Sequence, residues 1–367
     1  MRIVLIGPVY PYRGGIAHHT TRLAQAILEE GHEMVVISFK RQYPRFLYPG
    51  KSDRDPSQNV TQVDAEFVLD PIYPWTWAKA IHRIRDFSPS VVVIQWWTTF
   101  WAPAFWWIAK KLRNICRVTF LIHNVVPHEA KFFDPWLSKL TLLQGNHYIV
   151  QSENQKTRLQ KLIPLAEPII IEHPVYDQFA YQRIEKTEAR KLLKLPEDRP
   201  ILLFFGIVRP YKGLKHLIDA MALVYQAGHN PLLVIAGEFW EDVEKYKAQI
   251  KFLGIENAII IRNEYIPNED VPLYFNAADV FVAPYVGGTQ SGAVKIAMAF
   301  AMPIILSKEI FDMAKQEIMS DLIKSVDPEN LEMFSAKIID SLIEPRKKCD
   351  LITSNWLEVI RSFYIIQ

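Results

Sequence analysis

Short unbroken apolar runs alternate with longer stretches in which apolar residues recur every three or four positions, and the alternation persists along the 367 residues of the chain. Aliphatic, β-branched runs separated by helical segments form buried parallel strands, so the pattern predicts doubly wound α/β architecture. Strands are expected at residues 2–7, 33–38, 91–95, 119–123 and 147–151, with a last one at 169–172 leading into His173-Pro174. Residues 176–200 turn charged and helical, and a second series then starts at 201–206 and continues at 232–236, 258–262, 280–283 and 304–307. Two series that both open strand, loop, helix predict two Rossmann-like domains facing each other across a cleft, residues 1–175 and 176–352. From Ser354 the apolar residues Trp356, Val359, Ile360 and Phe363 keep helical spacing, so residues 353–367 are expected to form a final helix with a broad buried face that must pack on another element.

Composition narrows the class. Half the residues are apolar and 22% are charged, which excludes disorder and fibre. Lys plus Arg number 42 against 40 for Asp plus Glu, a balance that gives no reason to expect nucleic acid as a partner. Cys116 and Cys349 lie far apart in sequence, so no disulfide framework is expected and a reducing, cytoplasmic compartment suits the chain. The N-terminal apolar run is too short for a signal peptide and breaks at Pro8. Residues 87–109 carry no charge and reach the length of a membrane span. Pro89, Gln95, Pro103 and the run Val91-Val92-Val93-Ile94 recast that segment as strand, turn and a helix starting near Pro103.

Aromatic residues make up 12% of the chain, and five of ten tryptophans fall at Trp96, Trp97, Trp101, Trp106 and Trp107. No acidic residue occurs from 87 to 128, yet Lys110, Lys111, Arg113 and Arg117 do. Tryptophan beside lysine and arginine is the composition of a surface that meets anionic headgroups. Trp97, Trp101, Lys110 and Lys111 are therefore expected to form a ligand platform or a membrane-facing surface, the alternative being core packing between helix and sheet.

In open α/β sheets ligands sit at the carboxyl ends of strands, and four strand-to-helix loops are unusual. The first carries Gly14-Gly15 ahead of a helix beginning near Ala17, where backbone can approach an anion closely. It lacks the G-x-G-x-x-G fingerprint, so nicotinamide binding is not supported. The second, Gly206-Ile207-Val208-Arg209-Pro210-Tyr211-Lys212-Gly213, places two cations at a helix start, where they oppose the helix dipole unless an anion such as a diphosphate lies between. The third, Gly287-Gly288-Thr289-Gln290-Ser291-Gly292, offers successive N–H groups to an anion. The fourth, Leu121-Ile122-His123-Asn124, ends a strand with a histidine aimed at the same cleft. Asp53-Arg54-Asp55 is an Asp-x-Asp sequence in a polar loop and is expected to be solvated. His123, His128 and Glu129 lack a further ligand, so no metal is expected.

These segments, with Ile171-Glu172-His173-Pro174, Ala236-Gly237-Glu238, Ala277-Ala278-Asp279-Val280-Phe281-Val282-Ala283-Pro284 and Ala297-Met298-Ala299 before Pro303-Ile304, resemble the retaining glycosyltransferases of family 4 in order and spacing over essentially the whole chain. The resemblance implies the GT-B fold, with the final helix crossing back onto the first domain. It implies that a sugar moves from a nucleotide sugar to a glycan or lipid-linked acceptor in the synthesis of bacterial cell-surface polysaccharide or glycolipid. The enzyme would work without metal or cofactor, in the cytoplasm or peripherally on the inner face of the membrane.

In that family Arg209 and Lys212 would hold the donor diphosphate, Gly14 and Gly15 would close over it, and His123 would sit beside the donor sugar. Tyr265 and Ile266 would lie near the base; Thr289, Gln290, Ser291, Gly292 and Lys295 would complete the donor loop, and Glu238 would take a hydroxyl contact. One departure is large. The family carries two glutamates seven residues apart, and those positions here are Gly288 and Ile296. The missing pair keeps two other readings open: a protein that binds a nucleotide sugar as a scaffold, and a sugar-nucleotide epimerase of the same fold.

Overall fold

The structure is a computed structural model that describes residues 1–44, 48, 50–127, 130–180, 184–288, 291–311, 322–344 and 356–364. The chain divides into two compact units, one comprising Met1–Pro56, Val60–His173 and Asn355–Gln367, the other Ser57–Asn59 and Pro174–Ser354.

The first unit is built on seven parallel strands: β1 (Arg2–Ile6), β2 (Glu33–Phe39), β3 (Ala65–Leu69), β4 (Val91–Trp96), β5 (Arg117–Ile122), β6 (His147–Val150) and β7 (Ile169–Ile170), in the order β3-β2-β1-β4-β5-β6-β7. The inner strands are buried on both faces, as their near-continuous Val, Ile and Leu content requires. The connecting helices are α1 (Gly15–Glu29), α2 (Pro74–Phe87), α3 (Ala102–Leu112), α4 (Asp134–Leu142) and α5 (Glu153–Leu162). Proline opens α2, α3 and α4, where its fixed φ suits the first turn and its missing N–H costs no bond. β3 was not expected from the sequence. It is an edge strand with half-exposed side chains and a glutamate, Glu66, and so lacks the apolar run that marks its neighbours.

The second unit has six parallel strands: β8 (Ile201–Phe205), β9 (Leu232–Ala236), β10 (Ile259–Arg262), β11 (Val280–Ala283), β12 (Ile304–Ser307) and β13 (Ile323–Val326), in the order β10-β9-β8-β11-β12-β13. β13, another edge strand, carries Lys324 and was likewise unforeseen. In this unit α6 (Lys186–Leu193), α7 (Leu214–Gln226), α8 (Glu244–Phe252), α9 (Val271–Ala277) and α10 (Gly292–Ala299) precede Lys308–Phe311 and Leu331–Ile343.

The terminal helix, Trp356–Ser362, belongs to the first unit. Its Trp356, Val359 and Ile360 join Leu23, Ala24 and Ile27 of α1 in one buried cluster. Arg117 donates to the Phe363 carbonyl at 3.0 Å.

Segment 87–109 resolves into the end of α2, then β4, a turn and α3, and no described helix is long and apolar enough to cross a membrane. The expected surface of Trp97 and Trp101 is corrected. Trp101 is fully buried, stacks on Phe105 at 5.8 Å and donates its indole N–H to the Gln42 carbonyl at 3.1 Å. Trp96 is buried as well, and Trp97 is half-buried with its N–H on the Tyr43 hydroxyl at 3.0 Å. An indole at the end of a central strand is covered by the helix that follows it. Lys110 and Lys111 remain exposed at the end of α3.

Candidate active site

In both sheets the strand order reverses beside the first strand of the unit, next to β1 in one and β8 in the other, so each has a ligand crevice at its carboxyl edge.

In the first unit, the loop leaving β1 passes tightly over β4. A Cβ on Gly7 would lie 2.7 Å from the Gln95 side chain. Gly14 caps α1 at φ 108°, in the left-handed region that favours glycine, and the helix starts at Gly15 rather than Ala17. Asp53-Arg54-Asp55 braces this loop, with Arg54 exposed as expected, Asp53 half-buried and Asp55 buried. Asp55 is buried and donates its N–H to the Pro11 carbonyl at 2.9 Å, Arg13 donates to the Asp53 carbonyl, and the Arg54 guanidinium lies 4.4 Å from the centre of the Tyr12 ring.

His123 does end β5 at the carboxyl edge, but it is only 3% exposed and shares its surroundings with two histidines that the sequence reading did not single out as partners. His19 of α1 meets His123 edge-on at 4.7 Å between ring centres and His173 at 5.0 Å, and Trp356 closes the group at 5.1 Å. His123 Nε2 is 2.5 Å from Gln95 Oε1, and Gln95 Nε2 is 3.4 Å from His19 Nδ1. Burial, then the neighbouring His173, pushes the His123 pKa down to about 3, and burial holds His19 well below the usual histidine range. The imidazoles are therefore neutral at pH 7 and serve as hydrogen-bonding groups. Among the described residues no group of three His, Cys, Asp or Glu could hold a metal ion. His128 and Glu129 lie outside the described residues.

In the second unit, the loops after β8, β9 and β11 are laced together. Val208 donates to Glu238 at 2.9 Å, Trp240 donates back to Val208 at 3.1 Å, and Val286 donates to Tyr211 at 2.8 Å. Glycine is required where they meet. A Cβ on Gly237 would lie 2.0 Å from the Gly206 carbonyl oxygen, and one on Gly213, at φ 68°, would lie 1.9 Å from the Pro284 oxygen. Arg209 precedes and Lys212 ends the short 3₁₀ turn Pro210–Lys212 that leads to Gly213 and α7. The Arg209 guanidinium lies 4.7 Å from the centre of the Trp240 ring, and Lys212 Nζ lies 5.5 Å from that of Tyr285. Desolvation first, and the Arg209 charge second, push the Lys212 pKa down to about 7. Two cations thus stand just ahead of α7, where an anion would relieve the burial and the charge repulsion that depress Lys212.

The third loop completes the arrangement. Ser291 caps α10 by accepting from Val294 N–H, and the Tyr285 hydroxyl holds it at 2.9 Å. Gly292 begins the helix against Tyr176, where a Cβ would meet the ring at 3.1 Å. Lys295 is buried in its first turn, and Glu238 is buried after β9. Ile266 is also buried, so its side chain belongs to the core and only its backbone can meet a ligand, while Tyr265 stays partly exposed. Gly288, at φ 103°, lies against Tyr211, and Ile296 packs into the core. Thr289 and Gln290 lie outside the described residues. The sequence reading missed the aromatic walls Tyr211, Trp240 and Tyr285. Trp240 stands two residues beyond Glu238, a spacing that could have pointed to it.

Two consecutive family models match this chain, that for Glycosyltransferase Family 4 over residues 13–177 and that for Glycosyl transferases group 1 over residues 185–355. An uncharacterized glycosyltransferase of Methanocaldococcus jannaschii is 22% identical over 90% of this chain and 87% of its own length. The O-antigen chain mannosyltransferase B of Escherichia coli is 27% identical over 38% of this chain and 36% of its own. The crystal structure of Anabaena HepE in complex with UDP shares the fold at a TM-score of 0.67 and 16% identity, covering 98% of this chain and 94% of that one.

Proposed function

The chain belongs to the glycosyltransferases of family 4, with the two Rossmann-like units of the GT-B fold, and from that premise we propose that it moves a sugar from a nucleotide sugar to a glycan or lipid-linked acceptor, with retention and without a metal ion. The observation that carries the donor assignment is the pair Arg209 and Lys212 ahead of α7, where burial and the Arg209 charge depress the lysine pKa to about 7. A diphosphate seated there restores the lysine charge and takes both cations as hydrogen-bond donors.

Transfer then needs little proton machinery from the protein. The bond between the anomeric carbon and the diphosphate oxygen breaks, the acceptor oxygen bonds that carbon on the same face, and the acceptor proton passes to the leaving phosphate oxygen. Lys212, Arg209 and the backbone donors before α10 stabilise the developing charge. In the first unit His123 is a neutral, Gln95-held imidazole at the carboxyl edge of the sheet. The O-antigen mannosyltransferase among the relatives supports a role in surface polysaccharide, and the UDP in HepE supports a nucleotide-sugar donor. Glu238 and Lys295, buried beside the donor loops, are assigned to the sugar in place of the carboxylates missing at Gly288 and Ile296.

The test is a panel of nucleotide sugars, followed by calorimetry, by release of free nucleotide and by the anomeric configuration of the product, with and without chelator. Binding and release with one donor, unaffected by chelator, are expected; no binding across the panel sinks the reading. Gly288 and Ile296 favour the scaffold alternative, which predicts binding without release. The same calorimetry has a pH signature. Binding takes the protonated lysine, so nucleotide affinity should fall by up to tenfold per unit as pH rises above about 7, with a proton taken up on binding. Flat affinity between pH 6.5 and about 9 would place the diphosphate elsewhere.

Trp240 gives a smaller effect. Trp240→Ala removes the ring beneath Arg209 and should weaken nucleotide binding by about three- to tenfold, in line with about 1 kcal/mol for a partly desolvated cation–π contact. Unaltered calorimetric affinity would remove the ring from the site.

A further inference from the structure

An apolar groove opens on the first unit where α2, α3 and α4 run side by side. It has a volume of about 520 Å³ and is walled by Trp77 of α2, Trp106 and Trp107 of α3, and Trp136, Leu137 and Leu140 of α4. Its one side-chain hydroxyl, that of Thr141, is turned away and donates to the Ala102 carbonyl at 3.2 Å. One of its walls is also open: Trp136 is 64% exposed, and near the starts of α2 and α4 in the chain Trp75 is 66% and Phe132 95% exposed. An apolar groove with an open indole wall marks an interaction surface.

The charge on the same helices is one-sided. α2, α3 and α4 carry Lys79, Arg83, Arg85, Lys110, Lys111 and Lys139, against a single exposed carboxylate, Asp86, which His82 meets at 3.4 Å; of the six, Arg83 is paired with Glu66 of β3 at 2.7 Å. Asp134 is buried and accepts from Lys131 N–H. Lys110 is exposed and its Nζ lies 4.6 Å from the centre of the Trp106 ring. Arg85 and Arg113 tie the helices to one another through the Lys111 and Leu143 carbonyls, so the face is a fixed platform.

We infer that this face docks on an anionic lipid leaflet, with the exposed indoles at headgroup depth, the lysines on the lipid charges and an acyl chain in the groove. Charge complementarity selects this occupant. A second copy of the chain would set the same cations against each other across a twofold axis, whereas an anionic leaflet neutralises them and offers hydrocarbon to the groove. The inference deepens the lipid-linked acceptor of the preceding reading but is tested without sugar transfer, so either can fail alone.

The experiment is flotation of the full chain with vesicles of phosphatidylcholine alone or mixed with phosphatidylglycerol, the mixed vesicles also carrying bromine-labelled acyl chains to quench indole fluorescence. The parent should float with the anionic vesicles, lose that binding in high salt and be quenched. The double substitution Lys110→Glu with Lys111→Glu, and separately Trp136→Ser, should each weaken flotation by about tenfold or more. All three positions are exposed, and circular dichroism of each variant should match the parent. A parent that stays with neither vesicle, variants that float as the parent does, absence of quenching, or a dimer dissolved by Trp136→Ser would each overturn the inference.

Discussion

Lys212→Ala should lower transfer by about 10²- to 10³-fold and leave the melting temperature where it was. The size is that of removing one fixed donor from a developing oxyanion in a dry site. Thermal stability should hold because the ammonium pairs with no described carboxylate and sits with a pKa already depressed to about 7, so truncation removes an ill-solvated charge. Lys212→Arg sharpens the test. Arginine stays charged through the whole range and should abolish the fall in nucleotide affinity above pH 7. Its planar group is bulkier than the ammonium, which already lies 3.4 Å from where a Cβ on Gly206 would be, so turnover should not recover. A purified Lys212→Ala enzyme with unchanged turnover would remove the diphosphate from this loop.

The loops after β8 and β11 could be found in the sequence because their chemistry is local. Glycines at fixed offsets mark places where backbone must approach backbone, and Gly213 and Gly237 meet the Pro284 and Gly206 oxygens as that reasoning requires. The alternation of apolar runs was enough for the inner strands for the same reason, since a strand buried on both faces must be apolar throughout. Edge strands escape that demand: β7 and β10 keep isoleucine runs and could be read, whereas β3 and β13, interrupted by Glu66 and Lys324, could not. What depends on pairing distant segments was also hidden. Nothing near Asp53 or Asp55 shows that they lie under the first loop, and nothing near Trp101 shows that Phe39 and the Gln42 carbonyl will enclose its indole. The tryptophan cluster was read as one surface, yet it divides by element: the end of β4 and the turn after it go inward, while α3 presents Trp106 and Trp107 to the groove.

Gly288 and Ile296 bear on the mechanism together. Ile296 is part of the buried core, so a carboxylate restored there would enter an apolar environment without a partner. Gly288 is held at φ 103° against Tyr211, a conformation that a glutamate would occupy only under strain. The second unit is thus folded around the absence of both carboxylates, and under the proposed reading the buried Glu238 and Lys295 are the charged side chains offered to the sugar.

The second large effect is on stability. His19 and His123 are buried and neutral, with His123 held near pKa 3 and His147 near 4. A histidine whose folded pKa lies below its unfolded value of about 6.5 binds fewer protons when folded, so stability is complete above pH 6.5 and drains away as pH falls toward the folded pKa. At pH 5 each such histidine should cost about 2 kcal/mol, before most carboxylates have begun to titrate. All three histidines lie in the first unit, and so do nine of the ten tryptophans, Trp240 being the exception. Denaturant titrations followed by indole fluorescence therefore report the unit in question. The midpoint should move steeply downward between pH 7.5 and pH 5. His147→Asn should flatten the slope by about one proton without touching the Gln95 network. A midpoint independent of pH over that interval would mean that the histidines do not stay neutral in the folded chain, and the hydrogen-bonding role of His123 would fall with it.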